Sequence, residues 1–199
     1  ANIEYLSKNN IRVTQRIVNL QSAMSIFHSA LTTEDYEIPE GHYEEEQMKQ
    51  TVVPNRNAIF ASILYGYALS IATKQEDSVK IGLGVHSGDH EIYPDCRPEF
   101  YEALENAFLV GNWDSEKVSF YLPYLDGDKE TILIDAEKSI EKLNLDFDTI
   151  FANTNTSYNP DEQGRSSGKS GADIERILAF NACLLYTSPS PRDQPGSRM

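Results

Sequence analysis

VVPNRNAIF at residues 52–60, answered by GVHSGDHEIYPDCRPEF at residues 84–100, is expected to place a strand end directly before a helix start on each occasion. In the first string Pro54 fixes the backbone, and Asn55, Arg56 and Asn57 gather where a helix opens, a place whose unpaired N–H groups favour anions. Downstream, Ile59, Ile63, Tyr67 and Ile71 recur every fourth residue and predict a helix to about Lys74 with one apolar stripe. Val79, Ile81, Leu83 and Val85 then alternate with Lys80, Gly82 and Gly84, which predicts a strand whose glycine face lets a ligand or another backbone come close. The second string crowds His86, Asp89, His90, Asp95 and Arg97 into one strand-to-helix connection. The next helix is expected to open at Pro98, with Asp95 as its candidate cap, Phe100, Leu104, Ala107 and Phe108 on its core face and Gly111 at its end.

Outward from these strings, ANIEYLSKNNI reads as the tail of a helix feeding a strand over Arg12 to Leu20. Val118 to Tyr121 reads as a further strand and Glu130 to Leu143 as a helix burying Ile134, Ile140 and Leu143. Phe147 to Phe151 is expected to be the last strand, and Gly171 to Phe180 the last helix. Strands alternating with helices imply a parallel sheet covered on both faces, whose ligands bind at the carboxyl ends of the strands, where both strings fall. The acidic run Glu44 to Glu46 reads as a solvated helix start rather than a metal site.

Bulk properties narrow the function classes. The 199 residues, 40% apolar, suffice for one core. Against 31 Asp plus Glu there are 17 Lys plus Arg, and a formal charge of −14 repels nucleic acid and anionic membrane surfaces, so neither is an expected partner. The longest apolar run, around Ala58 to Ala72, is broken by Ser, Gly and Tyr and has helical periodicity, which argues against a membrane span. Two cysteines, Cys96 and Cys183, fit a reducing cytoplasm. The tail LLYTSPSPRDQPGSRM carries Pro189, Pro191 and Pro195 and no apolar period. The expected division is therefore a single domain over residues 1–182, lacking an upstream part, and a non-native or disordered tail over residues 183–199.

Two chemistries compete for the polar turns. Asn55 or Asn57 could simply cap a helix, with Arg56 paired to a surface carboxylate. Alternatively, the Asp, Asn and Arg side chains handle a polar ligand. The second string tips the balance towards a ligand. The His86 and His90 pair, separated by three residues on a loop without a third ligand, is weak as a metal site.

Together the two strings resemble the 7-cyano-7-deazaguanine synthase family of queuosine biosynthesis, and the likeness extends from about Leu31, with SALT and HYEEEQMK, to Phe180. The resemblance implies a doubly wound parallel sheet of the adenine nucleotide alpha hydrolase-like (Rossmann-like, PP-loop) type. It also implies a cytoplasmic ligase that uses ATP with Mg and ammonia to convert 7-carboxy-7-deazaguanine to the nitrile. It assigns substrate contacts to Asn55, Arg56, Asn57, His86, Asp95 and Arg97. Lys129, following Pro123 and starting a helix, becomes a catalytic candidate that could meet phosphate oxygens, against the alternative of a solvated helix-start lysine.

The chain departs from the family pattern twice. The family's Ser-Gly-Gly-x-Asp-Ser phosphate loop is absent, so the chain as given is expected not to hydrolyse ATP. The family also closes its C-terminal region with four cysteines around zinc, and here Ser157, Ser167, Ser170 and Asp173 stand at those positions. Because serine hydroxyls are poor ligands, zinc is not expected, and hydrogen bonds from the same serines offer an alternative staple. The rival readings are a related PP-loop ATPase acting on another carboxylate, and a catalytically silent small-molecule binding domain. Oligomeric state, a homo-oligomer included, is left open.

Overall fold

In the computed structural model, residues 1–32, 46–90, 92–158 and 160–183 are described. The expected helix start at Glu44 and Glu45 and most of the tail lie outside them. The chain divides into two compact units, one of Val52–Asp128 and one built from Ala1–Thr51 and Lys129–Met199.

The uninterrupted unit is α/β. Helix α3 (Arg56–Gln75) leads into β1 (Val79–Gly82), helix α4 (Pro98–Gly111) and β2 (Val118–Tyr121), following α1 (Asn2–Lys8) and α2 (Gln21–Met24) of the other unit. The two strands pair in parallel, Val79 opposite Val118 and Gly82 opposite Tyr121. Leu83 N–H extends the ladder by one bond to the Tyr121 carbonyl at 3.1 Å. Parallel strands need a crossover, and α4 supplies it. Gly111 ends α4, as the sequence suggests.

The core of this unit differs from the predicted stripe. Ala61, Tyr65, Ala68 and Ala72 are the buried residues of α3, while Tyr67 is 47% exposed and Ile59, Ile63 and Ile71 are half-buried. A strict four-residue spacing drifts by about 40° per step around a helix of 3.6 residues per turn, whereas alternating steps of four and three hold one face. Tyr65, Ala68 and Ala72 pack with Ile81 and Val118, and small alanines let the strands approach the helix. Tyr65 stacks on Phe108 with centroids 4.3 Å apart, and its hydroxyl donates to the Ser115 carbonyl at 3.2 Å. On α4 the buried residue is Tyr101, set edge-on to Phe120, while Ala107, expected inside, is exposed.

The second unit joins α1 and α2 to α5 (Lys129–Lys142), α6 (Phe147–Ala152) and α7 (Gly171–Ala182). Three expectations fail in it. Residues 12–20 form no strand. Ile17 is 85% exposed and Val13 and Val18 also face out, because a strand is made by a partner and the described sheet contains β1 and β2 alone. Phe147 to Phe151 is a helix, since the Asp146 carboxylate caps it by accepting the Thr149 N–H at 2.7 Å. Those Thr149 hydrogen bonds hold the Asp146 carboxyl below its ordinary pKa. Phe147 and Phe151, four residues apart, then meet at 4.4 Å between centroids, and Phe180 packs edge-on to Phe151. Finally, α5 buries Leu133 and Ile140, whereas Ile134 and Leu143 are exposed.

No helix among the described residues is long and apolar enough to cross a membrane. The packing of α3 yields a discriminating test. Ala72 is 0% exposed, so Ala72→Leu should overpack the helix–sheet contact and cost about 1–3 kcal/mol in denaturant unfolding. Tyr67→Ala should stay within about 0.5 kcal/mol of the parent; the reverse ranking would restore the predicted stripe.

Candidate functional site

The two strings meet in space at the N-terminus of α3. Asn55 occupies the N-cap position in the left-handed region, with φ 60°, which asparagine tolerates better than most side chains. Its side chain makes no cap bond. The first turn is closed from elsewhere. Asp95, in the short 3-10 turn Pro94–Cys96, presents Oδ2 to the Asn57 N–H at 3.2 Å. In return, the Asn57 amide donates to the Asp95 carbonyl at 3.2 Å and to Cys96 Sγ at 3.3 Å. The expectation that Asp95 caps the following helix is therefore corrected: α4 has Arg97 as N-cap with no side-chain cap bond, and Asp95 turns back 38 residues to α3. A carboxylate completes the positive end of α3 from within the protein.

Around this clamp the neighbouring groups are fixed. The Arg56 guanidinium lies 5.4 Å from the centre of the Tyr93 ring, and Tyr93 is buried. Arg97 Nε donates to the His90 carbonyl at 2.8 Å, which ties the end of the HSGDHEIYPDCR connection back to its middle while Arg97 itself stays exposed. His86 is buried in extended backbone just before the Ser87–Asp89 turn. The Ser87 N–H and hydroxyl both donate to the Gly127 carbonyl, at 2.8 and 2.5 Å. Burial, reinforced by Cys96 and Asp95, holds the Tyr101 phenol well above its ordinary pKa and keeps it protonated through the neutral range. Asn55, Arg56, Asn57, His86, Asp95 and Arg97 thus all belong to one unit. The last three lie in the connection from β1 to α4, whereas the first three open α3 after the 3-10 turn Glu46–Thr51, where a strand end was expected and none forms. Gly82 and Gly84 have open space where a Cβ would stand.

Lys129 opens α5 in the other unit and pairs with Glu175 of α7, both side chains largely buried. It is not the solvated lysine of the alternative reading. Nothing in the sequence joins residues 129 and 175. The same blindness covers Tyr93, Cys96 and the Ser87 tie, whose partners lie outside their own turns.

In the 157–173 segment, the Ser157 and Ser167 hydroxyls donate to Asp173 Oδ2 at 3.3 and 3.2 Å. Ser170 and Asp173 form a reciprocal capping box at the start of α7. Arg176, one turn on, donates to Thr154 Oγ1 at 2.9 Å and sits 4.9 Å over the Phe180 ring.

The family described as queuosine biosynthesis protein QueC matches residues 3–184. The chain belongs to that family. Among its relatives, the 7-cyano-7-deazaguanine synthase of Marinomonas sp. (strain MWYL1) is 42% identical over 84% of this chain and 69% of its own length. The enzyme of the same name from Methanoregula boonei is 42% identical over 85% of this chain and 70% of its own. 7-cyano-7-deazaguanine synthase 1 of Colwellia psychrerythraea is 41% identical over the same shares. No solved structure matches the chain significantly.

The clamp makes a measurable claim about this QueC family member. Asp95→Ala leaves the Asn57 N–H without its acceptor and removes the anion from the α3 N-terminus, so unfolding free energy should fall by about 1–2 kcal/mol. Asp95→Asn, which keeps an acceptor oxygen, should recover part of that. Equal stability of all three proteins would show that the clamp does not form.

Proposed function

We propose that the chain carries the substrate-recognition part of a 7-cyano-7-deazaguanine synthase, an ATP-dependent carbon–nitrogen ligase that takes 7-carboxy-7-deazaguanine and ammonia to the nitrile. The observation that carries this reading is the joining of PNRN to PDCRPE through Asn57 and Asp95, within a chain about 40% identical to relatives of that name. The finer fold, a doubly wound PP-loop sheet, goes with the reading and is supported by the parallel pair β1 and β2. The family match ends at residue 184, which supports a synthase domain over residues 1–182 and a separate tail.

Within this reading the residues divide by task. Asn57 and Asp95 spend these groups on each other and act as positioning residues that hold Asn55, Arg56 and Arg97 around one connection. Arg97, exposed and held by a single bond from Nε to the His90 carbonyl, keeps its terminal nitrogens for the substrate carboxylate. Arg56, laid against Tyr93, extends a flat face of the kind on which a purine-like ring stacks. His86 supports the connection from its buried side.

ATP supplies the activation of the carboxylate, and its fit to this chain is poor. The sequence has no glycine-rich phosphate loop, and the charge of Lys129 is met by Glu175. No step is therefore drawn through the nucleotide. The Lys129–Glu175 pair is the observation that favours the second reading, a silent binder of the deazaguanine acid.

The test uses the full-length gene product. It should form the nitrile only with ATP, ammonia and 7-carboxy-7-deazaguanine together. Arg97→Ala should lower kcat/KM about 30-fold, equivalent to roughly 2 kcal/mol of transition-state binding. Unchanged kinetics would remove Arg97 from the site. Binding of the acid without turnover would favour the silent binder.

A further inference from the structure

The family resemblance implies zinc at the positions of Ser157, Ser167, Ser170 and Asp173, and the donors present do not fit it. Zinc takes thiolate, imidazole or carboxylate, and a serine hydroxyl keeps its proton at neutral pH. That leaves one anionic residue of four. The geometry is unfavourable too, because the same oxygens are turned on one another. Asp173 Oδ2 receives the Ser157 hydroxyl at 3.3 Å, the Ser167 hydroxyl at 3.2 Å and the Ser170 N–H at 3.2 Å. Ser170 Oγ accepts the Asp173 N–H at 3.3 Å. Of the two Asp173 carboxylate oxygens, Oδ1 lacks a hydrogen-bond partner among the described residues, and a single oxygen cannot make a four-coordinate site.

We propose that this protein dispenses with zinc and staples the 157–170 segment to α7 through the buried Asp173 carboxylate, which three donors share in the place of a metal. Burial supports the role. Asp173 is 2% exposed, and a carboxylate that far from water stays in place only if hydrogen bonds replace its hydration. The segment is shaped to deliver those donors. Gly168 adopts φ 73°, a conformation open to glycine, and the Ser166 and Ser167 hydroxyls accept the N–H groups of Gly168 and Lys169 at 3.1 and 3.2 Å. The turn thereby closes on itself and presents Ser167 to Asp173. A metal links loop segments by ligating side chains from each; here the carboxylate on the first turn of α7 links Ser157, Ser167 and Ser170 by accepting from each. The inference rests on family membership alone and is independent of which substrate the protein takes.

Elemental analysis and thermal melts of the purified full-length protein decide it. Zinc should be far below one atom per chain, and a strong chelator should leave Tm unchanged. Asp173→Asn should lower Tm by about 5 °C or more, since one charged acceptor of several hydrogen bonds is lost. Should that variant fail to fold, Ser157→Ala and Ser167→Ala provide the milder series. Each should lower Tm, and the double variant should not be additive because both hydroxyls serve one oxygen. About one zinc per chain with a chelator-sensitive Tm would overturn the proposal. So would serine variants that melt like the parent.

Discussion

The Asp95 carboxylate at the first turn of α3 is the constraint on which the candidate site depends. The first N–H groups of a helix have no partner within it, and here an acidic side chain from the next strand-to-helix connection supplies one. Because Asn57 answers with its own amide, the bond is reciprocal, and the turn before α3 and the turn before α4 become one surface. Arg56, Tyr93, Cys96 and Arg97 take their places from that joint. A helix end that would draw an anion from solution already has one, so ligand recognition falls to side chains rather than to the helix terminus.

Legibility followed the range of the interactions. The long helix after Pro54, the strand at Val79, the helix from Pro98 to Gly111 and the strand at Val118 were readable, because periodicity, a first-turn proline and a terminal glycine are local signals. The Arg12 to Leu20 segment misled because β-branched Val13, Ile17 and Val18 look strand-like alone, and pairing depends on a neighbour. At Phe147 to Phe151 a strand was expected, while the Asp146 to Thr149 cap decided for a helix. The alanine face of α3 was missed for a different reason: large apolar residues draw attention, yet small ones let a sheet come close.

At the site, residue types and positions were legible and their partners were not. Asp95 was visible as a capping residue, but the choice between α4 next to it and α3 far upstream is tertiary. Lys129 presents the same problem, since its partner Glu175 lies in another helix. The serine and aspartate positions of the 157–173 segment were informative because substitution for cysteine changes what chemistry is available there, and the donor geometry around Asp173 follows from that change.

The continuity of the Val52–Asp128 unit bears on how the chain is made. The residues from α3 through β2 leave the ribosome in one stretch, so the packing of α3 on the two strands can form while later residues are still being added. The other unit is split: Ala1–Thr51 must wait for the segment beginning at Lys129 before α1 can meet α6 through the Asn2 to Ile150 bond. During synthesis the Ala1–Thr51 stretch thus waits, its bond to α6 unmade, for as long as the inserted unit takes to emerge.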